Sequence, residues 1–222
     1  MKHPPLPAQD EIHLWLLEHR TGSPSFLSKE ELARLKNFRF ESDQERYRYT
    51  QSAKRTILAH YLEQKPLALS FVENKYGKPS LAGLEFSISH TKGLSILAVS
   101  TGLPLGIDIE RLEPQANLEN LAQRILSNKE ILVFTNLSNS KKLAAFYQFW
   151  TAKEAYLKAI GTGFQIEPQK VEAEPAFTSA ACSVSTKQEL MPVSCGKEFV
   201  CHLARKNRPT KLSQFIFEFD ST

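Results

Sequence analysis

The stretch that decides the fold is 149-FWTAKEAYLKAIGTG-163. Its Ala, Leu and Lys residues favour a helix, and Gly161 is a typical stop signal, so the stretch predicts a helix ending there. Phe146, Trp150 and Leu157 recur at helical spacing, which predicts a buried face. Glu154 continues this face, and a carboxylate beside buried rings is costly unless a charged partner meets it.

A second stretch, 105-LGIDIER-111, alternates apolar and acidic residues, so Asp108 and Glu110 face one side of a predicted strand. Alone, Glu154 and Lys158 would be an ordinary helix ion pair. Two carboxylates on a strand and a third on a helix, however, persist only around a cation or a shared proton. Ligands that are all oxygen suit a hard ion such as Mg²⁺.

These two stretches carry a resemblance to a known family. The sequences 106-GIDIE-110 and 149-FWTAKEAYLKAIG-161 resemble the paired signature of 4′-phosphopantetheinyl transferases. The spacing between them is similar to that of the long, monomeric Sfp type. Two further stretches, 74-NKYGKP-79 and 86-FSISH-90, agree in type and order. The resemblance is therefore specific.

The resemblance implies an α+β fold made of two similar halves, a pseudo-dimer in one chain. Each half is expected to be a small, mostly antiparallel sheet with helices. We expect the halves at residues 1–104 and 105–222, with the metal site in the second and the active site at their junction.

The implied reaction moves the 4′-phosphopantetheine group from coenzyme A to a serine hydroxyl of an apo acyl or peptidyl carrier protein. It releases adenosine 3′,5′-bisphosphate. The implied cofactor is Mg²⁺ or Mn²⁺, which neutralises charge on the pyrophosphate and holds the reacting groups in line.

The resemblance also assigns roles to residues. The implied metal ligands are Asp108, Glu110 and Glu154. The implied catalytic residues are Glu154, Lys158, Lys153 and Glu130. The implied coenzyme-binding residues are Arg34, Arg46, Lys78, Ser89, His90, Lys153 and Lys158. Glu130 closes a predicted capping box with Ser127 equally well, and the base could be Glu154 or Glu130, directly or through a water.

Composition is ordinary for a soluble globular protein, and we expect a cytoplasmic location. The chain has 222 residues, 41% hydrophobic content and a net charge of +4. No apolar run reaches membrane-spanning length, and no signal-peptide core begins the sequence. The odd number of cysteines favours reduced thiols. The modest charge permits an acidic protein partner or a phosphorylated substrate, but does not indicate nucleic acid.

Periodicity and turn signals predict the remaining elements. The predicted helices are 28–38, 43–64, 117–126, one starting at Ser127, and 142–160. The first is expected to begin with a capping box formed by Ser28 and Glu31. The predicted strands are 11–18, 70–73, 84–89, 94–100, 105–111, 165–173, 180–184, 198–204 and 214–219. The strands at 94–100 and 105–111 are expected to form a hairpin.

The helix at 117–126 carries an apolar stripe that we expect to meet the carrier protein, with Arg124 and Lys129 steering its approach. Two alternatives stay open from the sequence: a Mg²⁺-dependent nuclease, and a carrier-binding module without activity. Against the nuclease, Lys158 follows Glu154 by four residues on a helix, whereas the common nuclease pattern has two residues on a strand. A binding module would not need the acidic cluster.

Overall fold

The structure is a computed structural model that describes residues 4–21, 24–174, 179–182 and 185–219. These residues form five α-helices and eleven β-strands. The helices are α1 (Lys29–Leu35), α2 (Glu41–Tyr61), α3 (Leu118–Ile125), α4 (Asn128–Thr135) and α5 (Asn139–Ile160). The strands are β1 (Glu11–Glu18), β2 (Val72–Glu73), β3 (Pro79–Ser80), β4 (Glu85–Thr91), β5 (Leu94–Ser100), β6 (Leu105–Arg111), β7 (Glu172–Ala173), β8 (Ser179–Cys182), β9 (Ser185–Pro192), β10 (Phe199–Arg205) and β11 (Lys211–Ile216).

The first sheet has the strand order β11-β1-β5-β4. β1 pairs antiparallel with β5 and parallel with β11, while β4 and β5 form an antiparallel hairpin. Helix α2 packs on this sheet, where Trp15, Ile57 and Phe217 share one buried core. The C-terminal strand β11 therefore completes a sheet that begins at the other end of the chain.

The second sheet has the order β6-β10-β9-β8-β7. Helix α5 lies across β6 and β10, and Phe134, Phe146 and Tyr156 form the core on that side. With the first sheet and its helices, this confirms the expected mixed α+β fold of small sheets.

A third buried cluster lies between the two sheets. It joins Ile12 and Ile96 of the first sheet to Ile107 and Ile109 of β6. Because side chains alternate along a strand, Asp108 and Glu110 face away from this cluster, towards α5. The predicted alternation of β6 is thus confirmed.

The predicted hairpin between β5 and β6 is wrong. β6 pairs with β10 and forms the edge of the second sheet, although it lies beside β4 of the first. Side-chain hydroxyls of β4 connect the two edges, so the sheets meet without a shared backbone ladder.

The strand prediction over residues 165–173 is mostly wrong. Gly163–Gln165 and Pro168–Lys170 are 3₁₀ turns, and strand structure is confined to Glu172–Ala173. Pro168 has no N–H to give to a ladder, which favours a turn there. The sequence also missed β9, and residues 183–184 of the predicted strand 180–184 lie outside the described residues.

Helix boundaries follow the predicted capping signals closely. The capping boxes Ser28–Glu31 and Ser127–Glu130 are both confirmed. α5 ends at Gly161, whose φ of 71° is the left-handed conformation that glycine adopts without strain. None of the helices in the described ranges is both long enough and apolar enough to cross a membrane. Cys195 and Cys201 are free thiols, as expected, and the side chain of Cys182 lies outside the described set.

Candidate active site

The site forms where β6 lies directly against α5. A β-carbon added to Gly106 would lie 2.1 Å from the carbonyl oxygen of Ala155 and 2.3 Å from the amide nitrogen of Ala159. Only glycine permits so close an approach. This contact brings Asp108 of β6 beside Lys158 of α5.

Asp108 is the centre of the cluster and is only 4% exposed. Its Oδ1 accepts hydrogen bonds from Ser89 Oγ and from Lys158 Nζ, each at 2.7 Å. Its Oδ2 is buried and has no hydrogen-bond partner within the described part of the chain. One face of this carboxylate is therefore held, and the other is left for a ligand.

Glu110 lies two residues along the same strand face. Trp150 Nε1 donates to its Oε1 and Thr91 Oγ1 donates to its Oε2, both at 3.3 Å. Burial, with the neighbouring negative charge of Asp108 adding to it, raises the pKa of Glu110. The two donors oppose this rise by stabilising the carboxylate form.

Glu154 on α5 completes the acidic group. Its Oε1 is buried, and no described side chain or backbone group bonds to it. Burial raises its pKa to about 7; Asp108 and Glu110 add to the rise, while the ammonium of Lys158 opposes it. A buried carboxyl with such a pKa accepts a proton readily near neutral pH.

The donor chemistry of the cluster fits a hard divalent cation. Three carboxylates converge, and two of their oxygens are buried without a bond, which is costly unless a cation or proton satisfies them. As the side chains stand, however, no three acidic, His or Cys side chains of the described residues are close enough to hold a metal ion together.

Lys153 and Glu130 do not belong to this cluster, which corrects their expected catalytic and coenzyme-binding roles. Lys153 is fully buried, and its Nζ lies 2.6 Å from Glu130 Oε2. It also donates to the carbonyls of Pro168 and Val171 at 2.9 and 2.6 Å. Since its three protons are used there, Lys153 serves to fix the chain after α5.

Glu130 is likewise committed to structure. It accepts from the Ser127 amide at 2.7 Å and from the Ala173 amide at 2.9 Å, besides its pair with Lys153. The capping interpretation of Glu130 is therefore confirmed.

Of the residues expected to bind coenzyme, Lys158 and Ser89 contact Asp108, and His90 lies near it. Ser89 bonds to Asp108, and burial lowers the pKa of His90, an effect to which the nearby charges of Arg46 and Lys158 add. Arg46 also pairs with Asp43 at 2.8 Å. His90 therefore lies near both the acidic cluster and a basic side chain of α2.

Lys78 and Arg34 lie further from the carboxylates. Lys78 Nζ donates to the carbonyls of Leu105 and Ala159, at 3.2 and 3.3 Å, and so ties the turn after β2 to the end of α5. Its burial lowers its pKa. Arg34 is exposed in the last turn of α1, near Tyr47 and away from the acidic cluster.

Two concavities lie in this region, and one of them reaches the cluster. One, of about 220 Å³, has mainly apolar walls and reaches Lys158. Its walls include Tyr76, Lys78, Phe86, Ile88 and Leu157. The other, of about 430 Å³, has a basic lining that includes His19, Arg20, Arg46 and Lys92.

The sequence did not assign Trp150, Arg20 or Lys92 to the site. Helical spacing predicts only that Trp150 lies on the buried helix face, because a strand–helix contact cannot be deduced from that spacing. Thr91, at the end of β4, contacts Glu110. Its period-two spacing with Ser87 and Ser89 is the signal that indicates a shared face.

Comparison with known proteins gives consistent results. Residues 104–204 match the model of the 4′-phosphopantetheinyl transferase superfamily. The chain is 33% identical to the 4′-phosphopantetheinyl transferase HetI of Nostoc sp. over 192 residues, covering 76% of this chain and 81% of HetI. It is 28% identical to Sfp of Bacillus subtilis, another 4′-phosphopantetheinyl transferase, over 64% of this chain and 63% of Sfp.

Among solved structures, a holo-(acyl-carrier-protein) synthase from Bacillus anthracis, in complex with CoA (3′,5′-ADP), matches 46% of this chain and 93% of its own. The sequence identity is 28% and the TM-score is 0.37.

Proposed function

Because the chain belongs to the 4′-phosphopantetheinyl transferase superfamily, we propose that it transfers 4′-phosphopantetheine from coenzyme A to a serine of an apo carrier protein. The observation that carries this proposal is the meeting of Asp108, Glu110, Glu154 and Lys158 beside a concavity that reaches Lys158. The family membership favours this reaction over the nuclease alternative.

The two concavities suit different parts of coenzyme A. The basic one near Arg46 and His90 offers donors for phosphate. The largely apolar one, which reaches Lys158, offers walls for a flat base. We therefore place the coenzyme across the junction of the sheets, with its pyrophosphate at the acidic cluster.

Asp108, Glu110 and Glu154 would hold the metal ion, which we propose to be Mg²⁺ or Mn²⁺. When bound, such an ion neutralises the charge that develops on the pyrophosphate and holds it in line for attack. Without an ion, Lys158 occupies one oxygen of Asp108.

Side chains of the protein accept the serine proton and stabilise the leaving group. The serine oxygen forms a bond to the β-phosphorus, and the bond from that phosphorus to the bridging oxygen breaks. We assign the serine proton to Glu154, because this carboxylate lies in the acidic cluster with a buried oxygen left without a bond among the described residues, whereas Glu130 is fully bonded elsewhere. Lys158 offers positive charge to the departing bisphosphate.

The two-halved organisation remains part of this proposal. We propose halves at residues 1–104 and 105–222, arranged as a pseudo-dimer with the site at their junction, in a monomeric cytoplasmic enzyme. The contacts of Ser89 with Asp108 and of Thr91 with Glu110 join groups from both sides of that boundary. β11 departs from a simple division, since it lies in the first sheet.

The expected carrier-docking stripe needs revision. Leu118, Leu121 and Ile125 pack against the buried core beneath α3, so they do not form a free apolar face. Arg124 stays exposed, and Lys129 is exposed but pairs with Glu172 at 2.8 Å. We therefore propose that charge brings an acidic carrier towards this region.

The deciding experiment is to incubate the protein with coenzyme A, Mg²⁺ and an apo carrier protein, and to weigh the carrier by mass spectrometry. We expect one pantetheine addition on the acceptor serine. Omitting Mg²⁺, or changing Asp108→Asn, should abolish it. No addition to apo acyl or peptidyl carriers by well-folded protein would overturn the proposal.

A further inference from the structure

The edges of the two sheets are connected by a row of three hydroxyl side chains on one face of β4. Ser87 Oγ accepts from the Ile107 amide at 3.1 Å, and Ser89 Oγ donates to Asp108. Thr91 Oγ1 lies one step further, against Glu110. Ser89 and Thr91 are two residues apart on β4, and the acids that they contact, Asp108 and Glu110, are two residues apart on β6.

Thr91 makes two bonds to β6. Its oxygen accepts from the Arg111 amide at 3.1 Å and donates to Glu110 Oε2 at 3.3 Å. A hydroxyl has one proton, so the amide leaves that proton free to point at the carboxylate. The branched β-carbon of Thr further restricts its χ1 rotamer.

Glu110 is thereby held at both oxygens, by Thr91 on one side and by Trp150 on the other. Its lone pairs are not exhausted, since each carboxylate oxygen can accept more than one bond. The bonds leave the carboxylate able to bind a cation while limiting its rotation.

We propose that Thr91 is a positioning residue that orients Glu110 for the divalent cation, rather than a residue that touches coenzyme A. The identification of this cation with the ion used in the transfer reaction rests on the proposed function. The orientation of Glu110 rests on the hydrogen bonds alone. Ser89 stands in the same relation to Asp108.

The test measures cation affinity without turnover. Mn²⁺ binding to the purified, metal-free protein is followed by electron paramagnetic resonance, and thermal unfolding is recorded alongside. Thr91→Val keeps the shape and removes both bonds, and it should weaken Mn²⁺ binding about 10- to 100-fold, as loss of a group that orients a metal ligand does. Thr91→Ser keeps the hydroxyl and should bind Mn²⁺ within a few-fold of the parent.

Ser87→Ala is the matched control. Like Thr91→Val, it leaves one β6 amide without its acceptor and should lower the melting temperature. Ser87 bonds to no carboxylate in the described structure, so its loss should leave Mn²⁺ affinity unchanged. Equal loss of affinity in Ser87→Ala and Thr91→Val would show that Thr91 is only part of the sheet junction.

The outcomes separate this inference from the proposed function. A parent that transfers pantetheine while Thr91→Val binds Mn²⁺ as tightly as the parent overturns the role of Thr91 alone. A parent that binds Mn²⁺ but never modifies a carrier overturns the transferase proposal, and the Thr91 comparison still stands. A folded parent that binds no Mn²⁺ overturns the role of Thr91.

Discussion

At the scale of single residues, the site concentrates groups whose bonding is incomplete. Asp108 and Glu154 each keep one buried oxygen without a hydrogen bond among the described residues. Burying such an oxygen costs free energy that the fold must supply elsewhere. Function, rather than stability, therefore accounts for these two oxygens.

Glu154→Gln tests this distinction. The uncharged amide removes repulsion from Asp108 and Glu110, so the metal-free variant at about pH 8 should melt at the parent's temperature or slightly above it. Transfer activity should fall by at least about 100-fold, since a base and a metal ligand are lost together. Calorimetry after EDTA treatment and the carrier assay check the two parts. A large drop in melting temperature would make Glu154 a structural residue.

His202 gives the protein a pH-dependent stability. Its Nδ1 lies 2.8 Å from Thr151 Oγ1, and burial lowers its pKa from 6.5 to about 4. As the pH falls below 6.5, the unfolded chain takes up a proton that the folded protein refuses, so stability is lost on acidification.

The loss should total on the order of 3 kcal/mol by about pH 4. Urea unfolding at several pH values between about 7.5 and 4.5 measures it, and His202→Gln should unfold with a shallower dependence on pH. If parent and variant lose stability in parallel, the imidazole does not titrate as described.

At the scale of elements, α5 presents different groups to different neighbours. Glu154 and Lys158, four residues apart, share the face towards β6, whereas Lys153, only one residue before Glu154, faces the chain after the helix. A step of one residue turns a helix by more than a quarter turn. Adjacent charged residues of α5 thus serve activity and structure separately.

A double-mutant cycle tests the Lys153–Glu130 pair. Lys153→Met leaves a buried carboxylate without its cation and should destabilise the protein by about 3–5 kcal/mol. Adding Glu130→Gln should recover part of that loss, because the uncompensated charge disappears. Urea unfolding gives the free energies, and Mn²⁺ affinity serves as the control, since neither residue lies in the cluster. Weaker Mn²⁺ binding by the well-folded double variant would show that Lys153 and Glu130 contribute to the active site.

The packing of β6 on α5 depends on Gly106. A Gly106→Ala side chain would collide with two backbone atoms of α5, at 2.1 and 2.3 Å, which no rotamer change relieves. We expect destabilisation of about 1–3 kcal/mol or more, measured by thermal unfolding.

Gly77→Asn is the matched control. Gly77 has a φ of 82°, which Asn tolerates, and nothing lies within 4 Å of its added β-carbon. Its cost should stay below about 1 kcal/mol. Equal costs at the two positions would argue against a close strand–helix contact.

At the scale of the whole molecule, two sheets are tied into one body. The β4 hydroxyls connect their edges, an apolar cluster fills the space between them, and β11 returns the chain to the first sheet. Contacts that depend on both sheets make unfolding cooperative.

The two tryptophans of the chain report separately on the first sheet and on α5, which packs on the second sheet. Trp15 lies on β1 in the first core, and Trp150 lies on α5. The variants Trp15→Phe and Trp150→Phe each leave a single tryptophan. Urea unfolding of each variant is to be followed by fluorescence and by circular dichroism. Within each variant the two transitions should coincide. A fluorescence transition separated from the helix signal would show that the halves unfold independently.

The sequence alone was sufficient for whatever depends on local pattern. Alternation gave the two faces of β6, capping residues gave the starts of α1 and α4, and Gly161 gave the end of α5, because each is decided by neighbours within a few residues. The acidic residues of the candidate site were recognisable for the same reason, since their types and spacing carry the chemistry.

Only the tertiary structure decided which residues meet across the chain. In the structure, β6 pairs within the second sheet and not in the predicted hairpin. Lys153 and Glu130 pair with each other outside the acidic cluster. Thr91 donates a hydrogen bond to the Glu110 carboxylate. A buried charge needs a partner because desolvation costs free energy, and a strand edge pairs only where a neighbour fits beside it. In both cases the partner comes from a part of the chain that is distant in sequence. The same lysine that a family resemblance assigns to an active site can therefore be a buried structural residue.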